Sequence, residues 1–111
     1  MNTLTEEVHR LEERREPYAL VTVIRRVKPS SATVGDRAVV TSDGRMFGFV
    51  GGHCTRGLVT KQARECLETG QTRLIRITSR PSAESDEEMT VLPMTCHSEG
   101  AVDLFIEPRI P

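Results

Sequence analysis

The sequence has no tryptophan and only 4% aromatic residues, too few for the platforms on which single-stranded nucleic acids stack. It has no surplus of positive charge: 15 basic residues meet 16 acidic ones, which excludes a domain held to nucleic acid by its overall charge. No apolar run approaches the ~20 residues of a membrane-spanning helix. The charged stretch from Met1 to Glu16 lacks the apolar middle of a secretory signal. Neither a Walker-type phosphate loop nor a G-x-G-x-x-G fingerprint occurs, and no serine, histidine and acid stand at a readable catalytic spacing. Three cysteines are an odd number for a disulfide-stapled secreted scaffold, so reduced thiols and a cytoplasmic location are the expectation.

What is present fits one domain. A chain of 111 residues, 37% hydrophobic, can bury roughly two-thirds of its unfolded surface. Leu4, Val8 and Leu11 stand at helical spacing among charged residues, predicting a surface helix over about 4–16, capped by Thr3 or Thr5 and stopped by Pro17. The apolar, β-branched run from Tyr18 to Ile24 reads as a central strand. Ala38 to Thr41 and Met46 to Val50 flank Ser42-Asp43-Gly44-Arg45, the signature of a β-hairpin. A second helix is predicted from about Cys54 to Thr69, its apolar face formed by Leu58, Val59, Ala63, Cys66 and Leu67, with Gly70 as its C-terminal cap. That face is expected to meet Val21, Val23, Val39, Ile75 and Phe105. Leu74 to Ile77 and Ala101 to Ile106 are further strands, the last ended by Pro108; Thr90 to Met94 is ambiguous. The order predicts an α+β domain, a mixed β-sheet with a β-hairpin and two packed helices. Charge is uneven along it: residues 1–80 sum to +5 and residues 81–111 to −6, a contrast that serves either a solvated acidic loop or a complementary partner.

Two stretches carry reactive groups. Gly51-Gly52-His53-Cys54 joins a strand to the start of the second helix. Paired glycines let the backbone approach a ligand. A helix N-terminus presents free N–H groups and a positive dipole end to an anion, and the same field makes a cysteine thiolate more available. The plain alternative is a glycine-assisted turn with a small thiol at its edge. Thr95-Cys96-His97-Ser98-Glu99-Gly100 again sets a thiol beside an imidazole. Cys54 and Cys96, with His53 and His97, form a possible metal set, although no Cys-x-x-Cys spacing supports it. Cys66 lies on the apolar stripe and reads as core. Arg25, Arg26, Lys28 and Arg37 flank the Ser30-Ser31 loop, suiting either an anion or simple solubility.

The succession Val21-Thr22-Val23-Ile24-Arg25, Ser30-Ser31-Ala32, Gly35 to Arg45 and Gly48-Phe49-Val50-Gly51-Gly52-His53-Cys54, followed by Thr95-Cys96 and Val102 to Pro108, resembles the N-terminal domain of the XdhC/CoxI family over roughly residues 18–108. Members are accessory proteins of molybdenum hydroxylases such as xanthine dehydrogenase and carbon monoxide dehydrogenase. The resemblance implies a non-catalytic maturation factor that binds the molybdenum cofactor (molybdopterin), assists its sulfuration and inserts it into the apo-hydroxylase. Gly51, Gly52, His53, Cys54, Cys96 and His97 would be its cofactor-binding residues. A cysteine desulfurase is the implied sulfur donor. The family commonly has a third glycine where His53 stands, and longer members carry a Rossmann-type domain. The expectation is therefore a half that works with a separate Rossmann-domain protein, as a homodimer. A small Cys/His metal- or redox-binding module and a docking-only domain are the alternative readings.

Overall fold

In the computed structural model, residues 3–28, 31–79, 89–93 and 100–110 are described. Their elements are α1 (Leu4–Glu13), β1 (Tyr18–Val27), β2 (Arg37–Thr41), β3 (Met46–Gly48), α2 (His53–Thr69), β4 (Arg73–Thr78), β5 (Met89–Pro93) and β6 (Ala101–Arg109). The strands form one mixed sheet of order β3-β2-β1-β6-β4-β5. Only β4 and β5 pair in parallel; every other neighbour is antiparallel. This is the α+β architecture expected, with the hairpin at β2–β3.

The period of two along each strand decides the layers. Ala19, Val21 and Val23 of β1, Ala38 and Val40 of β2, Ile75 and Ile77 of β4, and Val102, Leu104 and Ile106 of β6 share one core with Val59, Ala63 and Cys66 of α2. Leu58 and Leu67 flank that helical stripe half-buried. The alternate residues Tyr18, Leu20 and Val39 meet Leu4, Val8 and Leu11 of α1 on the opposite face. Val39, expected beneath α2, therefore packs under α1 instead. Phe105 alternates with Leu104 and Ile106 and likewise turns away from α2. The run Ala38-Val39-Val40 is apolar throughout, so its sequence does not reveal which side chain faces which helix.

Element ends depart from expectation in several places: β1 continues past Ile24 to Val27, and β3 stops at Gly48, short of Val50. α1 starts as predicted, with the Thr3–Glu6 capping box. It ends at Glu13 rather than near Glu16. Arg15 takes φ 55, its N–H donates to the Glu12 carbonyl (3.1 Å) and the Glu16 N–H donates to the Leu11 carbonyl (2.9 Å), a paired closure that completes the helix before Pro17 is reached. Thr90 to Met94 is ambiguous in sequence; Met89–Pro93 forms the edge strand β5. β6 runs through Pro108 to Arg109. β4 stops at Arg73, opposite Ile106, so Pro108 lies where β6 has no neighbour on that side and an absent N–H removes no bond there. Gly70 caps α2 as predicted, in the left-handed conformation, its N–H donating to the Cys66 carbonyl at 2.8 Å.

Strand direction collects several chain ends at one end of the sheet. β1, β4 and β5 finish there, at Val27, Thr78 and Pro93; β6 begins there, with Ala101 opposite both Val27 and Thr78. β3 runs towards the same end and delivers the chain to the start of α2. No helix among the described residues is long and apolar enough to cross a membrane.

Candidate functional site

The site is the turn between β3 and α2 with the β1–β2 loop against it. Past Gly48 the chain stays beside β2, the Phe49 N–H donating to the Arg37 carbonyl at 3.1 Å. Val50 then drops into the core. Gly51 takes φ +141, a conformation side chains rarely adopt. A Cβ on it would lie 3.1 Å from Cβ, Cγ2 and Oγ1 of Thr55, so the Thr55 side chain packs closely against the bare Gly51 backbone.

Gly52 is the N-cap of α2. No side chain caps it, and no acidic residue stands in the first turn. The N–H groups of Thr55 and Arg56 donate to the Gly52 carbonyl at 3.1 and 3.2 Å. The amides of His53 and Cys54 lead the helix and, like those of any first turn, have no acceptor within it. The turn thus offers N–H groups and the positive end of a 17-residue helix with no carboxylate of its own to satisfy them.

The described part of the β1–β2 loop, residues 31–36, is braced against β1 by several bonds. Arg26 donates from Nη1 to the Ala32 carbonyl at 3.2 Å. The Thr33 N–H donates to Oδ2 of Asp36 at 2.8 Å. Asp36 returns a bond from its N–H to the Thr33 carbonyl at 2.9 Å. Val23 and the Gly35–Asp36 pair exchange two further backbone bonds, each 2.8 Å. Ala32 is fully buried. Held in this way, Ser31 brings its Oγ to 3.6 Å from where a Cβ on Gly52 would stand. Of the basic residues singled out in the sequence, Arg26 is thereby a loop anchor, while Arg25, Lys28 and Arg37 are exposed.

The second motif lies outside the described residues: Cys96 and His97 fall within 94–99, and the side chains of His53 and Cys54 are likewise outside them. The expected proximity of Cys54 and Cys96 therefore has no distance attached to it. Its described flanks do have positions. Pro93 lies opposite Thr78, and Gly100 is tied to Ser79 by two bonds, Ser79 N–H to the Gly100 carbonyl (3.3 Å) and Gly100 N–H to Ser79 Oγ (3.4 Å). Both flanks sit at the sheet end from which α2 departs. Among the described residues, no three His, Cys, Asp or Glu side chains converge as a metal set.

Cys66 stands apart, as expected. It is free and fully buried. Burial pushes its thiol up, and Glu65 pushes the same way while Arg73 opposes both, so it is a poor source of thiolate. Two residues of the site escaped the sequence reading. Ser31 was legible only as part of a basic loop. Thr55 had a signal, because it precedes Val59 and Ala63 at intervals of four and so lies on the buried line of α2.

Residues 11–78 match the XdhC and CoxI family, a span that holds the whole Gly51–Cys54 turn and stops short of Cys96. No curated protein matches the chain. Among solved structures, a crystal structure of a xanthine dehydrogenase from Bacillus halodurans is similar at a TM-score of 0.69 and 18% identity; the likeness covers 96% of this chain and 30% of that one. At that identity the likeness speaks for the fold alone, and the chain spans less than a third of the length of that protein. The family match extends over more than half of the residues, and on it the chain belongs to the XdhC and CoxI family.

Proposed function

We propose that this protein serves molybdenum hydroxylases as a maturation factor: it binds the molybdenum cofactor, holds it while a sulfur ligand is installed, and hands it to the apo-enzyme. The observation that carries the reading is the family match across the Gly51–Cys54 turn. The local structure suits the cargo. A pterin with a phosphate-bearing tail needs a backbone that can be approached closely, which Gly51 and Gly52 supply, and N–H groups for an anion, which the uncapped start of α2 supplies. Cys54 stands in the first turn of α2, where the helix field favours its thiolate. In this reading Cys54 and Cys96 are the soft ligands nearest the metal and its sulfur, His53 and His97 set their protonation, and the protein itself catalyses nothing. A cysteine desulfurase, the apo-hydroxylase and a separate Rossmann-domain member of the family are its partners, in the cytoplasm and with the protein as a homodimer.

Client maturation tests the reading. Cells lacking the protein are complemented with wild type, Cys54→Ser, Cys96→Ser and Cys66→Ser, and hydroxylase activity and cofactor content are measured. Cys54→Ser should abolish maturation while the domain still folds, Cys96→Ser should weaken it, and Cys66→Ser should lower only stability. Full maturation with both Cys54→Ser and Cys96→Ser would leave the thiols as bystanders and favour a docking-only role.

A further inference from the structure

The helices cover the two faces of the sheet unequally. α2 lies across one face, over β1, β2 and β6. α1 packs on the other at β2, β3 and the start of β1. The described helices leave that second face open over β6, β4 and β5. Phe105, Leu74 and Met89 form one row there, and Asp103, Arg76 and Val91 the next. Residues directly opposite across a ladder share a side, and Phe105 turns away from α2, so both rows belong to this face. Phe105, Leu74, Met89 and Val91 are apolar and only half-buried. At the border with β1 the strand bulges, so that Ile24 and Arg25 together stand opposite Asp103. Ile24 there is 46% exposed. An apolar face with a polar border marks an interaction surface. The Arg76–Asp103 pair does not oppose covering it, because both Asp103 oxygens already accept bonds from Arg76 and a partner laid over them separates no charge. The border charges are of one sign. Arg25 and Arg37, the latter in register with Thr22 and so with Phe105, are exposed. Neither guanidinium has a carboxylate partner among the described residues. The carboxylates on this face are taken, Asp103 by Arg76 and Glu107 by Arg109.

We propose that the open half of this face takes an amphipathic helix of a partner protein, its apolar stripe over Phe105, Leu74, Met89 and Val91 and its acidic flank against Arg25 and Arg37. Two observations select that occupant. Three neighbouring strands at ~4.8 Å spacing span about 10 Å, the width of one helix, and α1 already covers the other half in that way. A second copy using the same face has no free carboxylate to offer the two arginines, whereas an acidic flank complements them and sets both specificity and encounter rate. The proposal stands apart from the cofactor reading, because it concerns the face away from α2 and not the Gly51–Cys54 turn.

The probe is a pair of stapled helical peptides of about 12 residues, long enough to follow a strand of five or six. Both carry a leucine stripe, one with glutamates on its flank and the other with lysines at the same positions. Each is titrated into the full chain and followed by amide NMR. The glutamate peptide should shift the amides of Leu74, Arg76, Val91 and Phe105 saturably. The lysine peptide should bind about fivefold more weakly, as loss of two exposed ion pairs implies. Arg25→Gln with Arg37→Gln, both at exposed positions, should erase that preference without altering the melting temperature. No saturable shift, shifts confined to α2, or a preference that survives the double variant overturns the proposal. Sedimentation velocity on the protein alone tests the second copy. A wild-type dimer that Leu74→Glu converts to a monomer gives the face to that copy and overturns the partner helix; an oligomeric state that Leu74→Glu leaves unchanged supports it. Binding to vesicles of anionic phospholipid that the double variant loses, with no answer to either peptide, overturns it in favour of a membrane.

Discussion

Gly51 and Thr55 are in close approach: a Cβ on Gly51 would stand 3.1 Å from Cβ, Cγ2 and Oγ1 of Thr55, a tight contact, and Gly51 adopts φ +141. Gly51→Ala must strain the backbone and displace a buried side chain together. It should cost about 1–3 kcal/mol, read as a shift in the denaturation midpoint. A cost below ~0.5 kcal/mol, the range of neutral surface changes, would mean that the turn is not built as described.

Arg76 and Asp103 face one another across the β4–β6 ladder. Nε and Nη2 of Arg76 donate to Oδ1 and Oδ2 of Asp103 at 2.7 and 3.0 Å, and the Asp103 carboxylate raises the already high pKa of the guanidinium. Asp103 is buried, whereas Arg76 keeps contact with water. Removing the acid alone leaves a partly screened cation, so Asp103→Ala should cost about 1–3 kcal/mol. The double variant Arg76→Met with Asp103→Leu should be more stable than Asp103→Ala, because it leaves no unpaired charge. A double variant less stable than that single one would contradict this.

Tyr18 is the sole tyrosine of a chain without tryptophan, so its phenolate absorbance reports one group. Burial first, then a 2.7 Å hydrogen bond to Oε1 of Glu12 and the charge of that carboxylate, push its phenol up to about 12. The folded value exceeds the unfolded one near 10.0. The stability linked to it is therefore fully present below pH 10 and lost as pH rises towards about 12. A spectrophotometric titration of the native protein should show this late midpoint, and Tyr18→Phe should flatten the alkaline fall in stability between those two values. A native midpoint near 10.0 would show that the Glu12 contact does not persist in solution.

The core has a centre and a margin. Leu104 is fully buried on β6, opposite Val23 and Ile75, and Leu104→Ala should cost roughly 2–5 kcal/mol. Leu67 flanks the same core half-buried, so Leu67→Ala should cost clearly less. Equal costs would mean that α2 sits deeper on the sheet than its burial indicates.

The hairpin and α2 were legible because their turn chemistry and their periods agree. Asp43-Gly44 falls between two strand patterns, and Val59, Ala63 and Cys66 keep helical spacing up to Gly70. β5 was not, because its only partner within the sheet is β4, which precedes it across residues 79–88, and parallel pairing leaves no local signal. The end of α1 was hidden by Arg15, which takes a conformation more usual for glycine. In the site, Gly51-Gly52 announced itself. Ser31 did not, since it meets Gly52 only after the β1–β2–β3 meander has brought together two positions distant in sequence.

The central claim is that this protein binds the molybdenum cofactor, and retention of that cofactor tests it most directly. Cofactor released from a purified molybdenum hydroxylase is mixed anaerobically with the protein and passed through a desalting column, and molybdenum and oxidised-pterin fluorescence are measured in the protein fraction. The account predicts that both are retained in a fixed, near-stoichiometric ratio to wild-type protein and that retention falls sharply with Cys54→Ser. Molybdenum and pterin no higher than with an unrelated protein of similar size would contradict it.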